Sequence, residues 1–381
     1  MSNPIVKYLR NMFAARRVLG DNGHLRGMAR ADALLVDLTN QKKVPGMAVT
    51  ISRENEVLLQ RGYGYADVAR KKGVDPKKTQ FRIASISKCI TGLALGKMME
   101  EGMVDLDASL YRYVPYCPKK RWDFTLRQLA GHTAGIRGYR GKEYALNEGW
   151  SIREGIQAFQ DDPLEFEPGT GYLYNSFDFV LLSLAMQEAS GVPFGEYVQE
   201  KVLEPLGMYH TIPDSGAVIN QNEMVAGRLV LSGAEASHNI MVAERSRSYT
   251  KRKSGFKNAI PVHNGFKLAG GGYVSTSKDI ARMGRAILNG DLLKPETYAE
   301  LFRPQRIHGE STYYGLGFQV SEDAQGRHFV GHVGNSVGAY SNFFVYPQEK
   351  VVVSILINCT DPKVQQALNQ SIETLFTDRQ D

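Results

Sequence analysis

Apolar, β-branched runs stand at both ends of the chain, and that placement restricts the fold more than anything between them. "HFVGHV", "AYSNFFVYP" and "KVVVSILIN" follow one another between His328 and Asn358, with "GNSVG" and "PQEK" as turns. Runs of this kind, broken by turn residues, read as consecutive strands. Near the front, "VPGMAVTISRENEVLLQRGYGYADV" splits at "RENE" into a hairpin near 46–53 and 56–63. From Phe81 the pattern turns helical, at 87–101, 125–131, 151–160, 176–190 and 194–203. "DPKVQQALNQSIETLF" closes the chain as an amphipathic helix. The simplest assembly pairs the first hairpin with the last three strands. The predicted class is α/β (α+β): an antiparallel sheet of five or more strands, flanked by N- and C-terminal helices, with an inserted mainly helical region. The expected divisions are an arm over 1–27, a sheet region over 28–80 and 268–381, and a helical region over 81–267. The catalytic cleft is expected between the last two.

Composition narrows the function classes. With 43% hydrophobic and 23% charged residues among 381, the chain can bury a substantial core, so wholesale disorder is excluded. The net charge of +6 is partly local: "RSRSYTKRKSGFK", Arg245 to Lys257, is basic and lacks an apolar period. It reads as a solvated loop, with an anionic-partner site as the alternative. Neither zinc-ligand spacing nor a nucleic-acid motif accompanies it, so no nucleic-acid partner is expected. Cys89, Cys117 and Cys359 are too few and too odd for a disulfide framework. No stretch reaches the roughly 18 apolar residues of a membrane span. The opening "MSNPIVKYLRNMFAARRVLG" has no apolar leader core, because Arg16 and Arg17 interrupt it. A cytoplasmic location follows as the expectation. The arm reads as a docked amphipathic helix, with a membrane-surface anchor as the alternative.

"FRIASISKCITGLALGKMMEEG", Phe81 to Gly102, places Ser85 and Lys88 at the head of an apolar run. Residues at i and i+3 share a helix face, so the two side chains can meet. Burial and the positive end of the helix dipole both disfavour an ammonium, which makes Lys88 a candidate base for Ser85. The alternative is an N-cap serine and a snorkelling lysine. Ser-x-x-Lys recurs at Ser248, Ser254 and Ser275. The first two lack an apolar helix behind them. In the third, Ile280, Met283 and Ile287 face one way and Lys278, Arg282 and Arg285 another, with Ser275 or Ser277 as cap. A serine hydrolase also needs a second proton-handling group and an oxyanion hole. Tyr174 stands at a loop-to-helix junction in "EFEPGTGYLYNSFDFVLLSLAMQEASG", and His332-Val333-Gly334-Asn335 lies late in a strand. Gly334 would let substrate approach the backbone closely. His132, in "GHTAGI", reads as structural.

The order Ser-x-x-Lys, Tyr-x-(Asn/Ser), (Lys/His)-x-Gly resembles the penicillin-recognising serine hydrolases, which include penicillin-binding proteins, class C β-lactamases, esterases and D-peptidases. "FRIASISK", "GHTAGI", "PGTGYLYNSFDF", "LAGGGYVSTSKDIARM" and "GHVGNSVGAYS" extend the likeness over roughly residues 28 to 375. "RIASISK", "YLYNSF" and "AGGGYVST" are most similar to the mitochondrial β-lactamase-like branch and its bacterial relatives. The resemblance implies Ser85 as acylated nucleophile, Lys88 as its base and Tyr174 as second acid/base. It implies an oxyanion hole from the backbone N–H groups of Ser85 and Asn335, with no metal or organic cofactor.

Two positions depart from the family pattern. Ser176 stands where asparagine is usual, and His332 replaces the lysine that helps hold a substrate carboxylate. Both point away from β-lactams, toward a small amide, peptide or ester. Homo-oligomer formation stays open. So does a rival reading, a catalytically weak binding or self-assembling member. Specificity is expected in loops such as 137–150 and 232–266.

Overall fold

The computed structural model describes residues 25–214 and 244–379. The expected arm before residue 25 and the part of the 232–266 loop before residue 244 lie outside the described residues. Among the described residues, 44–214 and 244–362 form one compact unit, and 25–43 with 363–379 form another.

The larger unit is built on a seven-stranded antiparallel sheet. Its strands are β1 (Gly46–Arg53), β2 (Glu56–Asp67), β3 (Lys72–Gly73), β4 (Gln319–Glu322), β5 (His328–Ser336), β6 (Ala339–Tyr346) and β7 (Val351–Ile357). Their order is β4-β5-β6-β7-β1-β2-β3. The first hairpin therefore pairs with the last strands as expected, β1 against β7 from Met47↔Ile357 to Arg53↔Val351, and short edge strands are added on both sides. Every residue of β6 and β7 is buried, which is why those runs are mostly apolar rather than alternating.

Five helices of nine or more residues are described: α1 (Gly27–Asn40), α2 (Ser87–Glu100), α3 (Phe177–Ser190), α4 (Ser277–Asn289) and α5 (Gln365–Glu373). The helical insertion carries α2 and α3, whose apolar residues are buried on nearly every side. Gly92 and Gly96 let other chain segments close on α2: a Cβ at Gly92 would lie 2.6 Å from the Leu316 carbonyl oxygen. Helix α4 lies on the sheet with Ile280, Met283 and Ile287 buried, as its pattern requires. Its cap is Thr276, which accepts from Asp279 N at 3.2 Å, rather than Ser275 or Ser277. No helix among the described residues is long and apolar enough to cross a membrane. In the smaller unit α1 packs against α5 and the 3₁₀ turn after it, burying Ala31, Leu35 and Leu38.

The basic segment is not the solvated loop its composition suggests. Tyr249–Arg252 and Gly255–Asn258 form a hairpin, and Cys359–Thr360 joins it in parallel. Tyr249 supplies the missing apolar anchor, being buried. Two of the arginines are neutralised by distant acids, Arg245 by Asp214 and Arg247 by Asp67. That pairing is invisible in a local charge count.

Candidate active site

Ser85 sits in a single 3₁₀ turn, Ala84–Ile86, that runs straight into α2. Ala84 before it has φ 48°, a left-handed backbone that costs a residue with a side chain about 1–3 kcal/mol unless its surroundings impose it. They do. The strand Thr79–Arg82 pairs with Tyr273–Ser275, Ile83 N donates to Tyr273 O at 3.1 Å, and Ser341 Oγ donates to Ile83 O at 2.8 Å. The bend presents Ser85 to a cleft of about 370 Å³ lined by Ser176, Lys267, Gly270, Asn335 and Ser336 among others.

One turn along α2, Lys88 is completely buried. Its Nζ donates to Gly270 O at 2.7 Å and lies 3.4 Å from both Ser85 Oγ and Ser176 Oγ. Burial pushes its pKa down to about 7, against the opposing pull of Asp178. The apolar helix thus produces the electrostatic effect expected of it. Tyr174 donates its hydroxyl to Ser85 Oγ at 2.7 Å. Burial moves this phenol the other way, above its usual range, and the bond to Ser85 offsets that in part. Near neutral pH, Lys88 is therefore the group able to take a proton and Tyr174 the group that holds one. Tyr172 instead packs its ring 6.2 Å from that of His132.

The opposite wall is the bare edge of β5. Strand β4 pairs only with His328–Gly331. Beyond it, Val333 N–H points outward to Gln319 Oε1 at 3.1 Å. N–H groups two residues apart face the same edge of a strand, so that of Asn335 points out as well, and Asn335 lines the cleft. Gly334 has a different role from the one expected. A Cβ there would lie 2.3 Å from Ser341 Oγ and 2.7 Å from Ile83 O. The room it leaves is filled by the turn that carries Ser85, not by substrate. Ser341 can rotate away, but the Ile83 carbonyl cannot. Gly334→Ala is expected to cost about 1–3 kcal/mol as overpacking, read as a lower denaturation midpoint. Ester turnover should drop at least tenfold, because Ser85 must shift with the turn. Wild-type turnover in the variant would contradict this.

His332 also differs from its expected place. It is buried, its Nδ1–H donates to Val333 O at 2.7 Å, and its Nε2 is 3.0 Å from the Tyr314 hydroxyl. Burial lowers its pKa to about 3. It is a neutral, buried member of an aromatic layer, its ring 5.7 Å from that of Tyr174. Ser176 does reach Lys88.

Sequence reasoning missed the layer beneath. Asp178, wholly buried, accepts from Asn175 Nδ2 at 2.7 Å and from His132 Nδ1 at 2.8 Å. Burial holds His132 well below its usual pKa and Asp178 well above its own, so the imidazole is neutral and shares a hydrogen bond with the acid. The His132 ring lies 4.6 Å from that of Tyr174 and 4.7 Å from that of Tyr314, fixing the tyrosine from behind. A signal existed: Asp178 is the one acid in "FDFVLLSLAM". Tyr314 carried none. Of the rival Ser-x-x-Lys serines, Ser275 is buried against Thr211 Oγ1 at 2.7 Å, and Ser254 is exposed in the hairpin turn.

The profile of the Beta-lactamase family matches residues 31–374. The chain belongs to the Beta-lactamase family. Within the family's reach, human mitochondrial serine beta-lactamase-like protein LACTB is 27% identical over 421 aligned positions, covering 85% of this chain and 73% of its own. Two solved structures share the Beta-lactamase-family fold. The octameric penicillin-binding protein homologue of Pyrococcus abyssi superposes with a TM-score of 0.74 at 23% identity, covering 92% of this chain and 77% of its own. The D-amino acid amidase of Ochrobactrum anthropi superposes at 0.75 and 20%, covering 92% and 98%.

Proposed function

We propose that the protein is a serine hydrolase that cleaves a small amide, peptide or ester through an acyl-enzyme on Ser85. The observation that carries this reading is the position of Ser85 Oγ, 2.7 Å from a phenol that donates to it and 3.4 Å from a buried amine. Neutral Lys88 Nζ takes the Ser85 proton as Oγ bonds to the carbonyl carbon. The carbonyl oxygen becomes an oxyanion, held by the N–H groups of Ser85 and Asn335. On collapse the leaving group departs with the Tyr174 proton, and the Lys88 ammonium restores the phenol. Water then attacks the acyl carbon with loss of its proton to Lys88, and that proton returns to Ser85 Oγ as the acid is released. Simple esters and amides suit the site better than β-lactams, since neutral His332 stands where a fixed cation would hold a β-lactam carboxylate.

The test is labelling with a fluorophosphonate probe, read by intact mass and peptide mapping. One equivalent on Ser85 is expected. Absence of modification at any dose would favour a binding or self-assembling protein on the same fold.

A further inference from the structure

The cleft wall nearest Tyr139 and Phe266 carries a charge that no acidic side chain among the described residues answers. Lys267 lines the same cleft as Ser85, yet only 5% of it is exposed. Its Nζ lies over the rings of Phe266 at 5.2 Å and Tyr139 at 5.6 Å. Its hydrogen bond is a long one, 3.5 Å to the Tyr144 carbonyl oxygen. No acidic side chain among the described residues pairs with it. The buried carboxylate of Asp214 is already engaged by Arg82 at 2.6 Å, by Arg245, and by the cleft-lining Asn264 at 2.9 Å. Desolvation, with repulsion from Arg82 added, lowers the Lys267 pKa to about 8. At neutral pH it still carries its charge.

A buried, charged, unpaired amine is costly, and buried charges are ordinarily paired. A folded protein retains one where a ligand supplies the partner, and perturbed groups of this kind gather at functional sites. Tyr139 connects this one to the reacting centre. Its ring packs under Lys267, and it lines the cleft together with Ser176, which contacts Lys88. The cation that His332 does not provide is thus present on a different wall of the cleft.

We propose that Lys267 binds a carboxylate carried by the substrate, so that the natural substrate is a small anionic ester, amide or peptide. The assignment of substrate class rests on the hydrolase reading above; the anion site itself does not. Three esters separate the possibilities: phenyl acetate, which is neutral; monophenyl glutarate, with its carboxylate on the acyl side; and 3-acetoxybenzoate, with its carboxylate on the leaving group. Each is assayed on the full chain and on Lys267→Met, which keeps the stem and removes the unmet charge. For at least one carboxylate ester, kcat/KM relative to phenyl acetate should fall tenfold or more in the variant, with Tm unchanged or raised. The ester that falls tells which side carries the charge. An equal loss on all three, or no loss on any, overturns the proposal. If no ester is hydrolysed by the wild type, the nucleophile assignment fails separately. Titration with glutarate and 3-hydroxybenzoate then decides the anion site: tighter binding to wild type than to Lys267→Met supports it, and equal binding overturns it.

Discussion

Lys88→Met is expected to lower kcat/KM for phenyl acetate by about 10²–10⁴, the range for loss of a general base. With a pKa of about 7, Lys88 is protonated and inactive as a base below that pH. Wild-type kcat/KM should therefore rise about tenfold per pH unit up to about 7 and level off above it. The variant should lose that limb. Burial, not a neighbouring positive charge, is the first cause of the lowered pKa, so the limb should move little with salt. Tyr174→Phe is expected to cost a similar factor, because its phenol stays protonated and supplies the leaving group. Lys88 and Tyr174 serve one proton circuit through Ser85 Oγ, so the double variant should be little worse than the poorer single. Tyr172→Phe is the control, since Tyr172 packs on His132 rather than on Ser85. Fully multiplicative losses, or equal losses at Tyr172 and Tyr174, would disprove the shared circuit.

The larger loss is expected from Ser85→Ala. Removing the attacking oxygen eliminates the acyl-enzyme route, and only binding and oxyanion stabilisation remain. Loss of a nucleophile costs about 10⁶ in the best-studied serine hydrolase, and a fall of at least about 10⁴ is expected here. Stability should be little affected. Ser85 is only partly buried, and the turn is held by Ile83, Tyr273 and Ser341 rather than by its hydroxyl. Fluorophosphonate labelling should vanish with activity. Labelling that persists at unchanged stoichiometry would mean another residue reacts.

Much of this site was legible because its grammar is local. Ser85 and Lys88 meet through helix periodicity, and the apolar residues behind them announce that the lysine is buried. The strand runs at the two ends likewise declare which segments share a sheet, since β6 and β7 are apolar at nearly every position. Tyr174 was legible in a weaker way, as a tyrosine at a loop-to-helix junction with a family-like neighbourhood. The basic hairpin was not: residues 249–258 pair only because Tyr249 finds a buried place, and their charge density gave no hint of it.

The sequence by itself determined the antiparallel sheet with its helical insertion and the meeting of Ser85 with Lys88. Each depends on contacts a few residues apart or on strand-length hydrophobic patterns. Tertiary structure decided what long-range packing alone can set. Gly334 is a glycine because Ile83 O, over 250 residues earlier in the chain, lies where its side chain would be. His332 is neutral because Tyr314 and the surrounding aromatic rings exclude water from it. Lys267, in the unremarkable "NGFKLAGG", stands out only once the fold places it in the cleft without an acid. Burial and the choice of partner set the charge state and reach of these residues, and neither is a property of a residue's near neighbours in sequence.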